Sequence, residues 1–324
     1  MGGHAFTTSA TDGPSPLSTP RMPPDIYFVL RDQYLQLLSS VYTQTATPIE
    51  APEKASYGDI DILVTLPKST STSAESLAKV LGAERIFTIL GSPTTSFALP
   101  YPNLPNNYVQ LDLHLSRPET FHWQLFHQSH GDLWSLLGTT IRPFGLTPND
   151  AGLHVRIQEI EDLNRKKALL FLTCDPDAVL EFLGLNRDAH KRPFESVESM
   201  YRYVSGCRFF SDERYVRGER KANDRKRMVQ RELYRAFIED WLPENAHLVG
   251  QQKEKNAQLS REGVLQESLS RFGKREEYEN RVEEWRKERE ELLAKQEGRQ
   301  IRKADAAEVE EYASAWMSWL NRSA

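Results

Sequence analysis

The sequence predicts an α/β or α+β protein: a mixed sheet with flanking helices, followed by a mostly helical C-terminal region. Three observations carry this expectation. Apolar residues return every three or four positions over 25–42, and again beyond about 194. Two segments, DIDILVTL at 59–66 and YVQLDLHL at 108–115, alternate in polarity as half-buried strands do. The charged run KREEYENRVEEWRKEREELLAKQEGR, a helix near 270–298, carries only a thin apolar stripe, as a helix with one contacting side does.

Taken in order, TTSATDGPSPLSTPRMPP at 7–24 is a Ser, Thr and Pro-rich loop. A helix follows, with Asp25 as its expected cap and Tyr27, Leu30, Tyr34, Leu37, Leu38, Val41 and Tyr42 on its apolar side; Pro48 and Pro52 close the stretch. In the 59–66 strand Ile60, Ile62 and Val64 point one way, and Asp59, Asp61 and Leu63 the other. SAESLAKVLG is a helix ending near Gly82, RIFTIL and SFAL are short strands, and PYPNLPNN is a turn.

On the 108–115 strand Asp112 shares its side with Tyr108, Gln110 and His114. If this strand neighbours the first in a suitable register, Asp59, Asp61 and Asp112 converge; the sequence leaves that register open. Further on come a helix near 132–138 capped by Asp132, strands at LHVRI and KKALLFLT, and a helix DPDAVLEFLGL with Asp175 as cap and Pro176 in its first turn. Two more helices, in FESVESMYRYVSGCRFF and VQRELYRAFIEDWL, are separated near 206–215 and stop near Pro243; VEEYASAWMSWL at 309–320 forms a separate short amphipathic element.

Composition narrows the function classes. With 324 residues, 39% hydrophobic and 27% charged, the chain can bury a real core. Lys and Arg number 41 against 46 Asp and Glu, a net charge of -5, so no global positive charge draws it to nucleic acid. Cys174 and Cys207 lack CxxC spacing and read as buried thiols. No apolar run approaches a bilayer span, and MGGHAFTTSA lacks the regions of a signal peptide, so an intracellular protein, cytoplasmic or nuclear, without a membrane anchor is expected.

The chemistry resides in the acids. Two carboxylates one residue apart on a strand leave the same face and can hold a divalent cation, and a third can orient or deprotonate a hydroxyl. MGGHAF adds a small Gly-rich segment able to admit phosphate close to backbone N–H groups. His122, His127 and His130 lack HExxH spacing, which gives a zinc hydrolase little support, and His114 reads as a structural or surface histidine. Lys221, Arg225, Lys226, Arg227, Arg231 and Arg235 form a basic cluster able to meet an RNA backbone; the alternative is a solvated helix.

Together the Gly2-Gly3 pair, GDIDILV and VQLDLHL resemble the polymerase-beta-like nucleotidyltransferase superfamily, as a divergent member covering roughly residues 1–145. The resemblance implies that Asp59 and Asp61 hold the metals, that Asp112 completes the site and acts as base, and that Gly2 and Gly3 border the triphosphate. It implies Mg²⁺ or Mn²⁺ as cofactor, an NTP, ATP first, as substrate, and transfer of NMP to a hydroxyl of an RNA or small molecule with release of pyrophosphate. It makes residues 1–145 the catalytic domain, with a long insertion at 7–55 separating the glycines from the acids, and 146–324 a mixed, mostly helical companion. Two alternatives stand beside it: a catalytically inactive scaffold of this fold binding a protein partner through the C-terminal helices, and an RNA-binding protein using 221–235.

Overall fold

A computed structural model of the chain describes residues 3–7, 15–70, 72–215, 222–246 and 259–320. Strands β1 (Thr45–Ala46), β2 (Asp59–Val64), β3 (Arg85–Thr88), β4 (Thr94–Pro100) and β5 (Tyr108–Leu115) form one sheet in the order β1-β2-β5-β4-β3. β2 and β5 are parallel, while the other pairings are antiparallel, so the sheet is mixed. A parallel pair needs a crossover. Here residues 65–107 supply it, with a helix and the β3-β4 hairpin.

One face of this sheet is apolar and covered by helices α1 (Pro24–Val41) and α2 (Ala74–Leu81). From α1 come Tyr27, Leu30, Tyr34 and Leu38, spaced three or four apart; from the strands come Ile60, Ile62, Val64, Phe97, Leu111 and Leu113. Each such fully buried side chain is worth about 1.5–3 kcal/mol before entropy is counted. This packing pins the register, because a slip of one residue would turn the isoleucines out and the aspartates in.

The starts of these helices follow local chemistry. α2 begins at a capping box in which the Ser73 hydroxyl accepts from the Ser76 N–H at 3.2 Å and the Ser73 N–H donates back to the Ser76 hydroxyl at 2.8 Å. It ends at Gly82 with φ 69°. The expected cap of α1 is corrected: Pro23 stands at the cap and Asp25 inside the first turn, where its charge meets the positive helix end.

Further along, α3 (Phe121–Gln128), a helix the alternation of FHWQLFHQ with polar neighbours did not reveal, precedes α4 (Leu133–Ile141). A second sheet has the order β6-β7-β8, formed by Leu146–Asn149, Gly152–Arg156 and Leu169–Thr173. The helix Pro176–Leu183 begins as its sequence predicts, with the Asp175 carboxylate accepting from the Asp177 N–H at 2.9 Å. Cys207 is buried and Cys174 half-buried, both as free thiols.

The chain divides into two units, Met1–Val155 with Phe171–Gln266, and Arg156–Leu170 with Glu267–Ala324. The second contains a helix running unbroken over Arg275–Leu320. This corrects the expectation of separate elements at 270–298 and 309–320: nothing between them breaks a helix, since KADAAEVEE favours one. The helix is tied within its unit by Arg286 to Glu159 at 2.8 Å and Lys167 to Glu288 at 2.7 Å. Among the described residues no helix is long and apolar enough to cross a membrane.

Candidate metal centre

The alternation of β2 directs Ile60 and Ile62 into the core and Asp59 and Asp61 to the opposite face. β5 does the same with Leu111 and Leu113 against Gln110, Asp112 and His114. Parallel pairing then sets Asp59 beside Gln110 and Asp61 beside Asp112. As a result, one ligand oxygen from each of Asp59, Asp61 and Asp112 can be chosen so that all lie within 4.8 Å of one another. Among the described residues this is the one group of three or more His, Cys, Asp or Glu side chains close enough to share a metal ion. The expected convergence of the three acids is therefore present. Leu63, on the same side as the aspartates, is fully buried, with α3 lying against β2.

Hydrogen bonds hold the acids in place. The Gln110 amide donates to both Asp112 oxygens, at 2.9 and 3.0 Å, and Ser96 on the next strand bonds Asp112 from the other side. The N-terminal turn reaches the same place. Gly3 donates its N–H to Asp59 Oδ2 at 3.1 Å, and Ala5 donates to Gln110 Oε1 at 2.9 Å. Gly3 has φ 87°, and a Cβ there would stand 2.4 Å from the Gly58 carbonyl oxygen, so the backbone approach tolerates only glycine. Thus the residues between Gly3 and Asp59 return the turn to the acids across 56 positions. Gly2 lies outside the described residues.

A fourth carboxylate, Glu50, adds its charge to those of the triad. Glu50 accepts a hydrogen bond from the Tyr27 hydroxyl and pairs with Lys54 at 2.7 Å. The Lys54 ammonium also lies 4.7 Å from the centre of the Tyr57 ring, which in turn stacks on Tyr27 at 3.7 Å.

Electrostatics follow from this crowding. Removal from water raises Asp59, an effect opposed by Lys54 and the Gly3 N–H. Asp61 is pushed up to about 8, first by the surrounding protein and then by the charges of Asp59, Asp112 and Glu50. Its side chain nonetheless opens to solvent, so water screens part of this effect. Burial also raises Asp112, helped by Asp59 and opposed by Ser96 and Gln110. Excess negative charge held on hard oxygen donors is the donor set that Mg²⁺ or Mn²⁺ takes, so the residues fit such an ion.

The histidines stay outside this group. His114 shares a hydrogen bond with the Thr94 hydroxyl at 2.9 Å, and His127 stacks on Trp123 with ring centres 5.9 Å apart. His130 is fully buried, its Nε2 bonded to the His190 carbonyl at 2.8 Å. Of the basic cluster, Lys221 lies outside the described residues and Arg231 is paired with Asp132, which caps no N–H of α4.

Gln110, Ser96, Glu50, Lys54 and the Tyr27-Tyr57 stack were not singled out by the sequence as site residues. Gln110 had a signal, since it stands two residues before Asp112 on the same face. Ser96 needs the β4-β5 register, and Glu50 and Lys54 lie in a segment without periodicity. Comparison with protein-family models returned no match, and comparison with curated proteins returned none either.

Proposed function

We propose that the chain is a metal-dependent nucleotidyltransferase that moves a nucleoside monophosphate from an NTP, ATP first, to a hydroxyl acceptor and releases pyrophosphate. The observation that carries this reading is the parallel register of β2 and β5, which brings three carboxylates from two strands onto one face. Asp59 and Asp61 would hold Mg²⁺ or Mn²⁺, and Asp112 would complete the set. The ion, when bound, supplies neutralisation of the phosphate charge and of the charge that develops during transfer.

The residues then divide the work. Asp112, fixed by Gln110 and Ser96, takes the proton from the acceptor hydroxyl, whose oxygen forms the new bond to the α-phosphorus as the bond to pyrophosphate breaks. Gly3 packs its backbone against Gly58 and Asp59, and so fixes the edge of the site where a phosphate chain would pass.

The test is NTP- and Mg²⁺-dependent pyrophosphate release with RNA and small-molecule hydroxyl acceptors, in the parent and in Asp59→Ala, Asp61→Ala and Asp112→Ala. Release in the parent and its loss in each folded variant is expected. Equal release in all three variants would sink the assignment, and absence of saturable NTP and Mg²⁺ binding in the parent would favour a non-catalytic scaffold.

A further inference from the structure

We propose that Lys54 receives the phosphate chain of the nucleotide, with Glu50 and Tyr57 as the positioning residues that hold it ready; this rests on the nucleotidyl-transfer reading. Lys54 lies in the segment that leads into β2, five residues before Asp59, and its partner Glu50 adds a fourth carboxylate to those of Asp59, Asp61 and Asp112. A lysine free to move among four acids would settle onto a metal-binding carboxylate and compete with the cation. Lys54 is held otherwise. Glu50 takes one N–H at 2.7 Å, and the Tyr57 ring lies beneath the ammonium at 4.7 Å.

The holder is itself rigid. Glu50 is fixed by the Tyr27 hydroxyl, Tyr27 is fully buried and stacks on Tyr57, and Tyr57 exchanges two backbone hydrogen bonds with Met22, at 2.8 and 2.9 Å. An ammonium carries three donors. Glu50 uses one, and among the described residues no other acceptor takes the remaining two, while 34% of the side chain stays open.

Placement also gives the site a direction. Lys54 belongs to the segment leading into β2, five residues before Asp59, whereas Asp112 lies on β5 opposite Ser96 of β4. The anion-receiving side is therefore the β2 side. A fixed positive charge on the β2 side stabilises the pyrophosphate as it departs.

Calorimetric titration of the full chain with inorganic tripolyphosphate in excess Mg²⁺, and separately with Mn²⁺ alone, tests this. Lys54→Met is expected to weaken tripolyphosphate binding roughly 10- to 100-fold, as loss of a charge-assisted hydrogen bond does. Mn²⁺ affinity in that variant should stay the same or rise, and Lys54→Arg should keep most of the tripolyphosphate affinity. A folded Lys54→Met that binds tripolyphosphate as tightly as the parent overturns the proposal and leaves the transferase reading standing. A parent that binds neither probe overturns both. If thermal melts show that the Met variant does not fold, Lys54→Gln provides the same contrast.

Discussion

Removing the charge of Asp61 should stabilise the metal-free protein, increasingly as pH rises from the carboxylate range to about 8. One Asp61 carboxylate oxygen lies within 4.8 Å of one oxygen each of Asp59 and Asp112. At that distance two unit charges repel by about 1 kcal/mol in water-like surroundings and by about 3–4 kcal/mol at an effective dielectric of 20. Because Asp61 opens to solvent, the lower end applies to each neighbour, so Asp61→Asn should gain about 1–3 kcal/mol in all. The pH dependence has a definite sign. The folded carboxyl is raised to about 8 while the unfolded one titrates in the ordinary carboxylate range, so the folded form holds a proton that the unfolded form has released. Parent stability therefore falls as pH rises from the carboxylate range through about 8, and levels off above it. The three acids titrate as a group, so the decline is broad. Urea unfolding in a chelator at pH 5 and pH 9 measures this. Asp61→Asn should exceed the parent by less at pH 5 than at pH 9; in excess Mg²⁺ the order should reverse, because the parent gains more from the cation. An equal increment at both pH values, or no gain at pH 9, would refute the charge-crowding argument.

Other consequences follow from separate parts of the molecule. Gly3→Ala combines a left-handed backbone with a Cβ placed 2.4 Å from the Gly58 carbonyl oxygen, and should release the N-terminal turn, costing about 1–3 kcal/mol locally; hydrogen exchange at Gly3 and Ala5 should quicken, and unchanged protection would contradict it. Burial lowers His190, to about 3, and also lowers His130, so both stay neutral when folded while the unfolded histidines charge below about 6.5. That stability is present above the unfolded value and is lost as pH falls below it; His190→Leu, if folded, should flatten this acid limb in pH-dependent melts, and an unaltered limb would exclude the pair as its source. Thiol titration of the native protein should modify half-buried Cys174 and spare Cys207, whose burial pushes the thiol up to about 12, until denaturant is added. Equal rates at the two cysteines would contradict that packing.

The acidic face was legible because its signal is local. Alternation in DIDI and VQLDLHL assigns the aspartates to one side and Ile60, Ile62, Leu111 and Leu113 to the other, whichever strands are neighbours. What alternation could not supply was the pairing of β2 with β5 through a crossover of more than forty residues, and with it the register of Asp61 and Asp112. The Gly3 contact depended on tertiary geometry too, since a 56-residue separation carries no periodic trace. Glu50, Lys54 and Tyr57 were less visible still: they act from a segment whose course is set by packing on Tyr27 and Met22. Errors at helix boundaries had local causes. At Asp25 the adjacent prolines already fixed the start of α1, and beyond Gly298 one glycine did not outweigh the helix formers on either side.

The most direct measurement is anomalous diffraction from crystals of the full chain grown with Mn²⁺ and a non-hydrolysable NTP analogue. The metal-dependent transferase reading predicts a manganese peak bonded to oxygens of Asp59, Asp61 and Asp112 at about 2.0–2.2 Å, with the phosphate chain on the Lys54 side. A bound analogue whose manganese lies away from the three aspartates, or a manganese-free triad at saturating metal, would contradict it.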